Sequence, residues 1–220
     1  MEKQKNTITF LTEKLEFPPV NQASAEGLLA VGGDLSPDRL LLAYSRGIFP
    51  WFNEDTLILW WSPDPRMVLF PNKVKVSRSM RKEIRKGHFS LTKNHCFERV
   101  IEECAGIHRK DQEGTWITEA MKRAYKELHD MGYATSYEVW REGQLVGGLY
   151  GVDLGHVFCG ESMFSKVDNA SKYALIKAAG ELEEKSYKLI DCQLHTPHLE
   201  SLGAEEIPRQ DYMTILQTKV

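Results

Sequence analysis

Three polar residues interrupt apolar runs late in the chain, and each could handle protons. Asp191 and Gln193 close the segment KLIDCQ, and Glu161 sits in HVFCGESMF between Phe158 and Met163. An aspartate that follows two apolar residues is expected to be partly buried, and a buried carboxylate needs a partner or a task. On a strand, alternation sets Asp191 and Gln193 on one face and Cys192 on the other. The carboxylate could orient Gln193 or help remove a proton from an attacking amine; it could equally be a structural aspartate bonded to a neighbouring loop. Glu161 and Met163 share a face unless a bulge at Gly160 intervenes. Cys192 with His195 raises a thiol nucleophile, which strand parity opposes; a buried cysteine is the expectation.

Two further clusters suit nucleic acid. Seven Lys/Arg fall between Lys73 and Lys86, against the single acid Glu83. On a helix, Arg78, Arg81, Lys82 and Arg85 share one side and Met80 and Ile84 the other. Such a stripe is either a solvated face or a contact for RNA phosphates. The segment GIFPWFNEDTLILWWSPDPR gathers Trp51, Phe52, Trp60 and Trp61, punctuated by Pro50, Pro63 and Pro65. Its rings could pack a joint between domains or offer flat faces to a base.

The whole chain has 220 residues and a formal net charge of −3, so any nucleic-acid site must be a local patch. Cys96, Cys104, Cys159 and Cys192 form no C-x-x-C pair, which fits no zinc motif and suits a reducing compartment. The first residues lack the apolar core of a secretory leader, and no apolar run approaches the ~20 residues that span a bilayer. The expectations are a cytoplasmic address, no membrane and no metal. Nothing in the sequence demands a dimer, so a monomer is expected.

The elements that must position these groups divide at a Pro-rich joint, giving units 1–66 and 67–220. In the first, Ser36 and Pro37 open a helix and Gly47 stops it. The Gly32-Gly33-Asp34 turn lacks the Lys-Ser/Thr of a phosphate loop. In the second, VLF (68–70) and KVKV (73–76) read as short strands and 78–86 as a helix. Apolar periodicity predicts helices over 95–105 and 118–131, with Thr118 as cap. Strands follow at 136–140, 145–152 and 156–164, then a helix from Asn169 to about 184 and a strand at 188–193. A short helix and a closing strand end the chain. This is an α+β order with a mostly antiparallel sheet flanked by helices.

That order resembles the GNAT acyltransferase fold, in which the strand of Glu161 borders the cleft. There, an acid beside Phe158 and Met163 could hold a cation while the apolar groups receive a side chain. CoA-dependent members of that fold place a Gly-rich pyrophosphate loop before the long helix. Here FSKVDNASKYAL has no glycine between Phe164 and Leu175, so CoA is not the expected cofactor, and another acyl donor is called for.

LLAVGGDLSPDRLLLAYSRGIFPWF, LWWSPDPR, SRSM, EGTWIT, EVW, LVGGLYG, FCGESMFS, NASK and KLIDCQ occur in that order. Together, from about Gly27 to about Arg209, they resemble the leucyl/phenylalanyl-tRNA–protein transferase family. The resemblance implies transfer of Leu or Phe from aminoacyl-tRNA to proteins with N-terminal Arg or Lys, marking them for N-degron degradation, without metal or cofactor. It implies that Asp191 holds Gln193 and that the pair helps the acceptor amine lose its proton. It sets Trp51 on the terminal adenosine with Trp116 nearby. It lines the side-chain pocket with Phe158, Met163 and Leu175 and directs Glu161 to the acceptor. The basic helix would hold the acceptor stem through phosphates, with little reading of sequence.

Two departures are visible. Ala178 and Ala179 stand where an aromatic is expected, which could enlarge the pocket. The chain ends at Val220, so contacts from a longer tail are not expected. Alternatives are a CoA-dependent N-acyltransferase, a non-catalytic tRNA-binding protein, and a transferase that accepts N-terminal Asp or Glu.

Overall fold

The computed structural model describes residues 8–107 and 116–218. Four short strands, β1 (Thr9–Leu11), β2 (Leu28–Gly32), β3 (Phe49–Pro50) and β4 (Leu59–Trp61), form a first sheet in the order β1-β2-β4-β3. Helix α1 (Pro37–Ser45) lies between β2 and β3 in the chain, with proline at its first position and Gly47 just past its end at φ 70. Trp60 is fully buried: its ring meets Phe17 edge-on at 4.9 Å, and its indole N–H donates to the Gly32 carbonyl at 2.8 Å. The aromatic segment, expected to be a turn-rich joint, thus contributes two strands. They are too short for alternation to reveal them.

The second sheet has seven strands: β5 (Arg66–Leu69), β6 (Ser90–Lys93), β7 (Ala134–Arg141), β8 (Gln144–Asp153), β9 (Val157–Ser165), β10 (Leu189–Gln193) and β11 (Glu205–Ile207). Their order is β11-β5-β10-β9-β8-β7-β6. Only β9 and β10 pair in parallel; every other neighbouring pair is antiparallel. The helices are α2 (Arg78–Lys86), α3 (Phe97–Ala105), α4 (Glu119–Asp130), α5 (Ala170–Glu184), α6 (Pro197–Ser201) and α7 (Arg209–Gln217). The α+β expectation holds: a meander β6 to β9, a crossover through α5, and β10 returning parallel to β9.

Local chemistry accounts for the boundaries. Glu142 and Gly143, at φ 52 and 76, make the two-residue turn between β7 and β8, whose right-handed twist favours left-handed turn residues. The Thr118 hydroxyl accepts from the Met121 N–H and caps α4, a bond worth about 1 kcal/mol. Ser36 and Asn169 hold the cap positions of α1 and α5 without a side-chain cap bond. The structure differs from the expectations at three points. Residues 73–76 are not a strand: Pro71–Lys73 is a 3-10 turn, and both edges of β5 are already taken by β10 and β11. Strand β6 and helix α7, which follows β11, lie outside the elements that the sequence predicts.

The sheet separates two cores. One face packs on α3, α4 and α7 and continues without a break into the small sheet and α1 through Leu40, Tyr44, Phe49 and Trp60. The other face packs on α2 and α5, with Phe158, Leu175, Ala178, Ala179 and Ile190.

Candidate active site

β9 and β10 run side by side through Ile190↔Phe158 and Asp191↔Cys159, and beyond that point both strands are irregular. On β9 the register slips between Gly160 and Ser162, leaving Glu161 as the extra residue. Opposite the slip, Gly151 on β8 has no room for a side chain: an added Cβ would lie 2.2 Å from the Cys159 carbonyl oxygen and 2.7 Å from the Phe158 ring. A bulge reverses side-chain parity downstream. Phe158 and Met163, five positions apart, therefore pack toward the same core, whereas regular alternation would separate them. On β10 the register slips between Asp191 and Gln193, and Gln193 takes φ 64.

The two bulges bring three polar side chains together beside the cavity. Asp191 is fully buried, and both its oxygens are occupied. Arg66 Nε donates to Oδ1 at 2.8 Å and Nη2 to Oδ2 at 2.6 Å; the Tyr212 hydroxyl donates to Oδ2 at 2.9 Å and the Gln193 backbone N–H to Oδ1 at 3.0 Å. Asp191 thus holds Gln193 through the main chain. The Gln193 side-chain Nε2 donates instead to Glu161 Oε1 at 2.8 Å. The Tyr125 hydroxyl donates to Glu161 Oε2 at 3.0 Å, and the Tyr44 hydroxyl makes a short contact with that of Tyr125.

Electrostatics separate the roles. Burial works against charge on Arg66, but the Asp191 carboxylate outweighs it and holds the guanidinium above its ordinary value. Arg66 also donates to the Gly47 carbonyl at 3.1 Å and lies over the rings of Phe49 and Tyr212, 4.9 and 4.7 Å from their centroids. Burial pushes the Glu161 carboxyl up to about 7, against the lowering effect of the Tyr44 and Tyr125 hydroxyls. Burial and the Asp191 charge push the Cys192 thiol up, so it is no nucleophile at neutral pH.

These groups line a cavity of about 410 Å³. Its walls include every expected catalytic and substrate residue: Asp191, Gln193, Glu161, Trp51, Trp116, Phe158, Met163 and Leu175. Trp51 is half-buried, tilted against Trp61 at 5.8 Å, and its carbonyl accepts from the Trp61 indole at 2.8 Å. Residues 113–115 of the EGTWIT segment lie outside the described residues. Ala178 and Ala179 do not line the cavity; they are buried in the core around α5, beside the lining residues Phe158 and Leu175.

The basic helix stands apart from this cavity. Arg78, Arg81, Lys82 and Arg85 are exposed on α2, while Met80 is buried against the sheet. Among the described residues no cluster of His, Cys, Asp or Glu is arranged to hold a metal ion, and no helix is long and apolar enough to cross a membrane.

Four residues of the site escape a reading of the sequence: Arg66, Tyr212, Tyr44 and Tyr125. The need of a buried Asp191 for a cation was the available signal, and Arg66 in SPDPR is distant in sequence. Tyr44 and Tyr125 read as apolar helix positions, which their rings satisfy while their hydroxyls reach the site.

The sequence model of the leucyl/phenylalanyl-tRNA protein transferase matches residues 68–217, and that of the transferase's N-terminal domain matches residues 33–64. The leucyl/phenylalanyl-tRNA–protein transferase of Flavobacterium johnsoniae is 58% identical over 210 residues, covering 96% of this chain and 99% of that protein. The transferase of the same name from Christiangramia forsetii is 55% identical over 209 residues, covering 94% and 99%. That from Syntrophobacter fumaroxidans is 54% identical over 210 residues, covering 96% and 90%. Among solved structures, L-PGS from Bacillus licheniformis is 12% identical with a TM-score of 0.43, covering 77% of this chain and 54% of its own. A GCN5-related N-acetyltransferase from Kribbella flavida is 11% identical with a TM-score of 0.39, covering 77% and 60%. The chain belongs to the leucyl/phenylalanyl-tRNA–protein transferase family.

Proposed function

We propose that this protein moves Leu or Phe from aminoacyl-tRNA to the α-amino group of proteins beginning with Arg or Lys. The observation that carries the reading is one cavity in which Trp51 and Trp116, the apolar wall of Phe158, Met163 and Leu175, and the Glu161–Gln193 pair face a common space. The aminoacyl ester is already activated, so the protein must mainly orient an amine and handle its proton.

Trp51 stacks on the terminal adenosine, with Trp116 beside it. Phe158, Met163 and Leu175 receive the Leu or Phe side chain. Asp191 fixes the bulge that aims Gln193, the pair helps the acceptor amine lose its proton, and Glu161 faces the acceptor's reacting or basic end. Arg78, Arg81, Lys82 and Arg85 hold the tRNA by its phosphates. The product carries a destabilising N-terminus, which assigns the protein to N-degron degradation in the cytoplasm, acting as a monomer.

The test supplies purified protein with leucyl-tRNA and a peptide beginning with Arg, follows peptide mass, and uses an acetyl-Arg peptide as control. Leucine added only to the free-amine peptide establishes donor, acceptor and reaction. No addition while tRNA still binds would sink the transferase reading for this acceptor and leave a tRNA-binding protein or a changed acceptor preference.

A further inference from the structure

We propose that Glu161, rather than Asp191, takes the proton from the acceptor amine, and that Tyr125 and Tyr44 are positioning residues that hold Glu161 for this step. The inference rests on the transferase reading above.

Asp191 has no acceptor site left. A carboxylate offers about four lone-pair positions, and those of Asp191 meet Arg66 twice, Tyr212 and the Gln193 backbone N–H. A proton there would displace one of these donors and leave the Arg66 charge uncompensated in the interior. Glu161 differs on each count. Its Oε1 accepts from Gln193 and its Oε2 from Tyr125, with the Tyr44 hydroxyl as a third donor, so of about four lone-pair positions one remains for a proton. Among the described residues it makes no ion pair, and it lines the cavity.

The groups around Glu161 come from several elements: Tyr44 on α1, Tyr125 on α4, Cys159 on β9, and Asp191 and Gln193 on β10. Tyr150 of β8 packs edge-on behind Tyr125 at 5.7 Å. None of these is a cation. Burial raises the hydroxyls of Tyr44 and Tyr125 well above their usual range, so both remain protonated donors at neutral pH. With Glu161 held near 7 by burial, its proton affinity lies close to that of a peptide amine, about 7.7–8.0.

The step balances within the two substrates and one carboxylate. The amine nitrogen forms a bond to the ester carbonyl carbon, and one of its protons passes to a Glu161 oxygen. The tetrahedral intermediate collapses, the C–O bond to the terminal ribose breaks, and the same proton goes to the departing ribose oxygen. Glu161 ends as it began, and nothing else is consumed.

The experiment measures kcat and KM against pH for leucyl transfer to one Arg-peptide, in wild type, Glu161→Gln, Tyr125→Phe and Tyr44→Phe. The amine's own titration is common to all four. Glu161→Gln is expected to lower kcat by about 100-fold or more and to remove the enzyme's contribution to the acid limb. Losing a bond donated to the carboxylate raises its proton affinity, so Tyr125→Phe is expected to move the acid limb upward by about one pH unit. Tyr44→Phe is expected to shift it in the same direction, and serves alone if Tyr125→Phe does not fold. A merely structural tyrosine would lower stability without moving the limb. The inference is overturned if Glu161→Gln keeps kcat within about threefold of wild type, or if neither tyrosine variant moves the limb. A wild-type protein that transfers nothing would instead overturn the underlying transferase reading.

Discussion

Asp191 shows how a residue can be central to a site through its bonds alone. It sits in a fully buried pair with Arg66, closed by Tyr212 and by the main chain of Gln193. Removing one member of such a pair leaves the other charge desolvated and unpaired, at a cost of about 3–5 kcal/mol. Asp191→Ala is therefore expected to lower the melting temperature markedly in calorimetry and to weaken tRNA binding along with turnover. An unchanged melting temperature would show that Arg66 finds another partner and that the anchoring role is wrong. Loss of turnover in this variant does not by itself mark a catalytic carboxylate. The sequence made Asp191 suspect, because an acid after Leu189 and Ile190 must be explained. It could not name Arg66, since the two meet across adjacent antiparallel strands 125 residues apart in the chain.

At the scale of elements, the two bulges matter more than the strands that carry them. Gly160 raises the question of a bulge, but only the pairing with β8 shows that the register slips at Glu161, opposite a Gly151 that has no room for a side chain. Helix α2 is a simpler case. Its cationic face and buried Met80 follow directly from a period of 3.6, with Ser77 accepting from the Met80 N–H at its start and Gly87 in the left-handed region at its end. Replacing Lys82 and Arg85 with Ala leaves Met80 and both caps intact, so stability should change little. If these cations meet phosphates, the slope of log K against log salt should become shallower by about two, since each contact with duplex contributes about 0.9. Fluorescence anisotropy across a salt series measures it, and an unaltered slope would remove α2 from the RNA interface.

For the whole molecule, the small sheet and the large one share a core. Tyr44 of α1 reaches Tyr125 of α4, Arg66 joins the Gly47 carbonyl to Asp191, and Arg209 of α7 donates to the Ser62 carbonyl at 2.5 Å. The protein is therefore expected to unfold in one transition, with calorimetric and van't Hoff enthalpies equal, and residues 1–66 alone should not fold. Two separate transitions would show that these links contribute little. The sequence by itself determined the helices with strong periodicity, the long hairpin and its turn, and eight of the residues that line the cavity, these through family resemblance. Those properties are local, or are repeated as ordered motifs, and can be read without knowing what packs on what. The tertiary structure alone decided the small sheet, the bulges, the Arg66–Asp191 lock and the tyrosines behind Glu161. Each depends on atoms far apart in the chain sharing a buried space, where close packing and desolvation set side-chain direction and proton affinity.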